Sequence, residues 1–202
     1  LWKQILFFSI PLVLSNLLQV LFNMSDIAVV GQFAGSNALG SVGSTTTLVA
    51  LFTGILIGMG SGINVIVARF YGAQDPENLE ETVHTSLILS ALIGLALLVL
   101  GLVLANPILM LLKTKEELLD GAALYLRIYF LGMPATGIYN FGNAVFSAVG
   151  NTKKPLIFLS ISGAVNIALN LFFVIVCNLD VAGVAIASAA SQWLSAILIV
   201  VS

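Results

Sequence analysis

The sequence predicts an all-α polytopic membrane protein, a six-transmembrane-helix bundle, on three observations. The 202 residues are 59% hydrophobic and 8% charged, against about 25% charged in an ordinary soluble domain. Several apolar runs exceed the roughly 20 residues that cross a hydrocarbon layer as a helix. Breakers and charges divide the chain into six such runs, at about 4–32, 38–69, 83–112, 116–149, 155–176 and 181–202.

The first run is not a cleaved signal sequence. Its apolar stretch is far longer than an h-region of about 7–15 residues, and no small-residue cleavage site follows. Its polar residues Asn16, Gln19, Asn23 and Asp26 recur at spacings of three, four and three, which puts them on one helix face. A charge at a helix centre costs about 2.5–3.5 kcal/mol on insertion scales, so this face must turn toward a bundle interior or a water-filled cavity. Asp26 is the only acid well inside an expected span. Pro11 removes a backbone hydrogen bond and clashes with the carbonyl four residues back, at Phe7, giving the same helix an expected hinge.

On the second run Gly54, Gly58 and Gly62 repeat every four residues, a small-residue ridge expected to serve close helix packing. The local "GMGSG" does not have the spacing of a dinucleotide loop. Ahead of the third run, "QDPEN" offers Asp75 as N-cap, Pro76 at the first helical position and Glu77 in the first turn. Ahead of the fourth, "TKEE" sets Thr114 and Glu117 in capping-box register. The fifth carries Ser162, Asn166 and Asn170 at i, i+4 and i+8. The sixth has Asp180 as its expected cap and Ser188, Ser191, Gln192 and Ser195 along one side.

Three runs thus show polar faces. One acid among neutral oxygens could bind a small hard cation such as sodium, or a proton; the plainer reading of the amides alone is interhelical hydrogen bonding. With a cytoplasmic N-terminus, Lys3, Arg69, Lys153 and Lys154 lie inside, against Lys113 and Lys115 outside, and this bias favours that orientation. The chain begins without Met and stops at the edge of an apolar run, so it is expected to be a fragment or half of something larger.

Other classes fit poorly. Seven scattered Lys and Arg give no basic face for nucleic acid, and the single Cys177 excludes an internal disulfide or a cysteine-based metal cluster. An intramembrane hydrolase would need a base for Ser61, but the only histidine, His84, is expected in a charged loop, and aspartyl chemistry needs a second close carboxylate. A flippase for lipids or lipid-linked sugars is the alternative on a related fold. It would want a strongly cationic cavity, for which buried Lys and Arg are scarce.

Several stretches together resemble the multidrug and toxic compound extrusion (MATE) transporters. They are "PLVLSNLLQVLFNMSDIAVVGQFAGSNALGSVGS", "ARFYGAQDPEN", "YLRIYFLGMP", "SAVGNTKKPL" and "VNIALNLFFVI", and they run nearly end to end. The resemblance implies a fold of twelve helices in two lobes, with residues 1–202 similar to the N-terminal lobe and a C-terminal six-helix lobe as the missing partner. It implies a multi-pass protein of the plasma membrane and no enzyme. The activity implied is export of drugs or other organic compounds, organic cations above all, in exchange for sodium ions or protons by alternating access, with no cofactor beyond the coupling cation. Residue by residue, Asp26 matches the family's first-helix acid, Pro11 its first-helix proline, and Asn166 and Asn170 the polar pair on the fifth helix. Ser188 keeps the hydroxyl that many members carry as Thr. Some proton-coupled relatives have a second acid where this chain has Asn170, so a single carboxylate stands in this lobe.

Overall fold

The computed structural model describes residues 2–202, without the side chains of residues 3–8, 12 and 16. Lys3 and Asn16 therefore lie outside the described side chains. The described residues form helices α1 (Trp2–Phe33), α2 (Gly35–Gly72), α3 (Pro76–Leu111), α4 (Glu116–Phe130), α5 (Met133–Ala148), α6 (Lys153–Leu171) and α7 (Asp180–Val201), with a π-helical turn at Phe172–Val176 continuing α6. Five stretches are long and apolar enough to cross a membrane: Ser9–Phe33, α2, α3, α6 with its π turn, and α7. The helical membrane bundle expected from composition is the fold observed.

The sixth crossing is the run expected as one helix over 116–149, and here the structure differs. It breaks at Leu131 and Gly132 into α4 and α5, each too short to span alone. Both pieces pack against α2, α3 and α7, so they stack as one discontinuous crossing. The cause is local. Pro134 has no N–H to give the Phe130 carbonyl, and a Cβ at Gly132 would collide with the side chain of Gln192 on α7. The Leu131 carbonyl freed by the break accepts from the Trp193 indole N–H at 3.1 Å, as backbone at membrane depth requires.

Other boundaries shift outward. The third helix begins at Pro76 and not near 83, because Asp75 does cap it, accepting from the Asn78 N–H at 3.2 Å. His84 consequently sits on a helix, solvent-exposed, and not in a loop. The capping box at Thr114 does not form: Lys115 holds the N-cap position and no side chain caps α4. Asp180 likewise falls inside the first turn of α7, whose cap position is Leu179. Pro11 lies within an unbroken α1, where the Ser15 hydroxyl donates to its carbonyl at 2.9 Å.

Glycines on α3 let it pack closely against its neighbours. A Cβ at Gly94 would strike the backbone of Met133 and Pro134, and one at Gly101 would strike the Phe130 ring. Phe130 in turn meets Phe52 of α2 edge to face, centroids 4.8 Å apart. The ridge expected to pack, Gly54, Gly58 and Gly62, is instead exposed, with nothing within 4 Å of a Cβ at any of the three. The buried face of α2 runs through Thr45, Leu48, Phe52, Leu56, Ile63 and Val67, which leaves that ridge on another side.

Candidate functional site

α1, α6 and α7 bring the predicted polar stripes to one point. Asp26 is 5% exposed. Its Oδ1 accepts from Asn170 Nδ2, and its Oδ2 accepts from the Ser188 hydroxyl at 2.8 Å. Asn170 Nδ2 also donates to Asn166 Oδ1 at 3.2 Å. Asn166 Nδ2 donates to Ser191 Oγ at 3.3 Å and, at 3.5 Å, to Ser188 Oγ. The helical repeat explains the convergence: Asn166 and Asn170 are one turn apart on α6, as are Ser188 and Ser191 on α7, and Asp26 is aimed between the two helices.

Among the described residues this carboxylate's hydrogen-bond partners are an amide and a hydroxyl, with no Lys or Arg. Asn170 Oδ1 is buried without a hydrogen-bond partner, as is Ser162 Oγ one turn below Asn166. An unpaired buried acceptor costs about 1–3 kcal/mol, so the cluster is short of a donor or a cation. The available groups are oxygens of a carboxylate, amides and a hydroxyl, which suit a hard cation or a proton. Asp26, Asn166, Asn170 and Ser188 would hold it.

Asp26 borders a cavity of about 340 Å³. Gln19 and Asn23 line it beside Asp26, although the Asn23 amide folds back onto the Gln19 carbonyl of its own helix at 3.1 Å. Ser162, Asn166, Ser188, Ser191, Gln192 and Ser195 line it from α6 and α7. Pro11 does not border it. Reading polar stripes missed the opposite walls: Thr45, Thr46 and Thr53 on α2, Tyr125 and Tyr129 on α4, and Thr136, Tyr139 and Asn140 on α5. Tyr125 and Tyr129 stack with centroids 5.7 Å apart. Their spacing of four, like that of Thr136 and Asn140, was the available signal.

Among the described residues the lining contains no Lys, Arg or His, which is unfavourable for phosphate-bearing cargo. Nor is a Ser–His pair assembled. The Ser61 hydroxyl donates to the Ile57 carbonyl of its own helix, and His84 borders a separate apolar groove.

The MatE family model matches residues 11–172. "Probable multidrug resistance protein YoeA" of Bacillus subtilis is 34% identical over 168 residues, covering 83% of this chain and 36% of that protein. "Probable multidrug resistance protein YpnP" of the same organism is 30% identical over 190 residues, 94% of this chain and 43% of that one. The solved structure described as "Crystal structure of MATE in the bent conformation" superposes with a TM-score of 0.92 at 25% identity, over 98% of this chain and 44% of that one. The chain thus spans less than half the length of the relatives it matches.

Proposed function

This chain belongs to the MatE family, and from that premise we propose that it forms one six-helix half of a secondary antiporter. The whole would export drugs or other small organic compounds in exchange for sodium ions or protons. The observation that carries the reading is Asp26: a buried carboxylate held by neutral donors, beside an unpaired amide oxygen, at the wall of a cavity large enough for a small organic molecule.

The mechanism follows from exchange at one acid. A sodium ion or a proton on Asp26 cancels its charge and offers the unpaired Asn170 Oδ1 a partner. Departure of that cation leaves a carboxylate that attracts a cationic cargo into the same cavity. Cation and cargo then compete for one charge, which is the requirement for exchange. Either can drive alternating access only by binding the two conformations unequally. α1 carries both Asp26 and Pro11, so a shift of Asp26 against α6 and α7 would be passed along the helix to the weak point at Pro11. A second six-helix lobe completes the transport path, and the protein lies in the plasma membrane with its N-terminus in the cytoplasm.

The test is ethidium efflux from cells expressing the chain joined to a second six-helix lobe, under imposed sodium and proton gradients in turn. Wild-type protein should export under one of them, and Asp26→Asn should insert normally but export nothing. Full export by Asp26→Asn would overturn the assignment.

A further inference from the structure

Phe22 lies four residues before Asp26 on α1, so the two side chains project toward the same neighbour one turn apart. That neighbour is α6. A Cβ built on the buried Gly163 would fall well inside van der Waals contact with three carbons of the Phe22 ring. The ring edge therefore occupies the volume that any other residue would fill at position 163. Leu18 and Phe158 belong to the same apolar cluster, around Tyr139 and Leu159.

Beyond Gly163 the same face of α6 continues to Asn166 and Asn170, three and seven residues on. As first and fifth crossings of an alternating bundle, α1 and α6 run in the same direction. The rise from Phe22 to Asp26 is about 6 Å, between the rises of about 4.5 and 10.5 Å from Gly163 to the two asparagines. Seating the ring on the glycine thus brings the carboxylate level with the gap between the amides, where the Asn170 bond is made.

We propose that Phe22, seated on Gly163, is the positioning residue that fixes the register of α1 on α6 and holds Asp26 between Asn166 and Asn170. The proposal rests on the reading of Asp26 as the coupling group. Phe22 acts through helix spacing. A side chain at position 163 would drive the ring into the cavity that it also lines, or carry α1 away from α6. Either way the carboxylate loses its set distance from its donors.

The experiment reads the rate at which dicyclohexylcarbodiimide modifies Asp26, by peptide mass spectrometry of the chain in lipid nanodiscs. Gly163→Ala should raise the rate by about tenfold, as loss of one hydrogen bond to a charged group would. Phe22→Ala, which empties the notch, should raise the rate as well, and the two substitutions together should raise it by less than the product of the single effects, as residues in contact couple. Gly94→Ala is the control. Its Cβ would press on the backbone of Met133 and Pro134, so it should lower thermal stability and leave the rate at Asp26 unchanged. An unchanged rate in Gly163→Ala or in Phe22→Ala, single effects that simply multiply in the double variant, or an equal rise in Gly94→Ala would each overturn the proposal. Should Gly163→Ala not insert, Phe22→Leu gives a milder form of the test, with a rise of about threefold supporting the proposal and none overturning it. The readout needs no gradient and no efflux, so a chain that never exports would sink the transport reading while leaving the register intact.

Discussion

The two flanks of the bundle are built on different principles. On the α3 flank, glycines let helices approach until backbone meets backbone or ring: Gly94 against Met133 and Pro134, Gly101 against Phe130. Ser86 and Ser90 are the buried polar residues of α3, and Ser90 donates only to its own helix. The α1 flank also seats a ring on a glycine, Phe22 on Gly163, but what sets it apart is a group of hydrogen bonds from α6 and α7 around a carboxylate. Backbone contact is unforgiving because packed interiors transmit any added volume. A polar contact centred on an ionisable group can be remade when its charge or ligand changes. Under the proposed function, the difference separates a scaffold flank from a working one.

The largest way to break that comparison is at Asp26 itself. Asp26→Asn should reduce cation-driven ethidium efflux to background while the protein still inserts, and its melting temperature should fall little; collapse of the fold would make the acid part of the scaffold. Next comes Gly94→Leu on the opposite flank, where the colliding atoms are backbone. It should cost about 1–3 kcal/mol or more of stability, read by thermal unfolding in detergent, and leave the cation concentration for half-maximal efflux unchanged in whatever folds. Ser188→Ala removes one donor to the carboxylate and should shift that concentration by about tenfold, since hydrogen bonds to charged groups are worth about 1.5–3 kcal/mol, whereas Ser188→Thr should leave it near wild type. The smallest effect is expected at the break between α4 and α5. Trp193→Phe deprives the Leu131 carbonyl of its donor and should lower stability by about 0.5–1.5 kcal/mol without altering cation dependence.

The working flank was the more legible one in the sequence. Polar residues in a lipid-soluble chain must be spent on an interior, and a period of three to four says which of them share a face. That period put Asp26, the Asn166–Asn170 pair and Ser188 each on a polar face of its own helix, the resemblance picked those four out of the three faces, and the structure brings them together. The scaffold flank was harder to read. Gly54, Gly58 and Gly62 have the spacing of a packing ridge but lie bare, while Gly94 and Gly101, seven residues apart, make the close contacts. Spacing shows that a helix has a smooth side and says nothing about what lies against it. The interruption at Gly132 was signalled by "GMP", yet the long apolar run at 116–149 concealed it. Tyr125 and Tyr129 went unremarked for a related reason, since an aromatic residue inside an apolar run reads as core. The caps at Thr114 and Asp180 failed because a cap needs the right backbone turn as well as the right side chain, and Lys113 and Asp180 itself both have positive φ there.

One small feature bears on how α1 can move. Only Ala34 separates α1 from α2, with Gly35 taking the left-handed turn at φ +87°. A joint of one residue has no slack, so α1 is pinned at that end and can travel only as a lever about it. Asp26 sits eight residues from the pivot, about 12 Å along the axis, and Pro11 nearly three times as far. A tilt that moves the carboxylate by the width of one hydrogen bond is therefore multiplied about threefold at the level of Pro11. Under the proposed function, the short arm would meet the cation and the long arm would carry its displacement to the N-terminal end of α1.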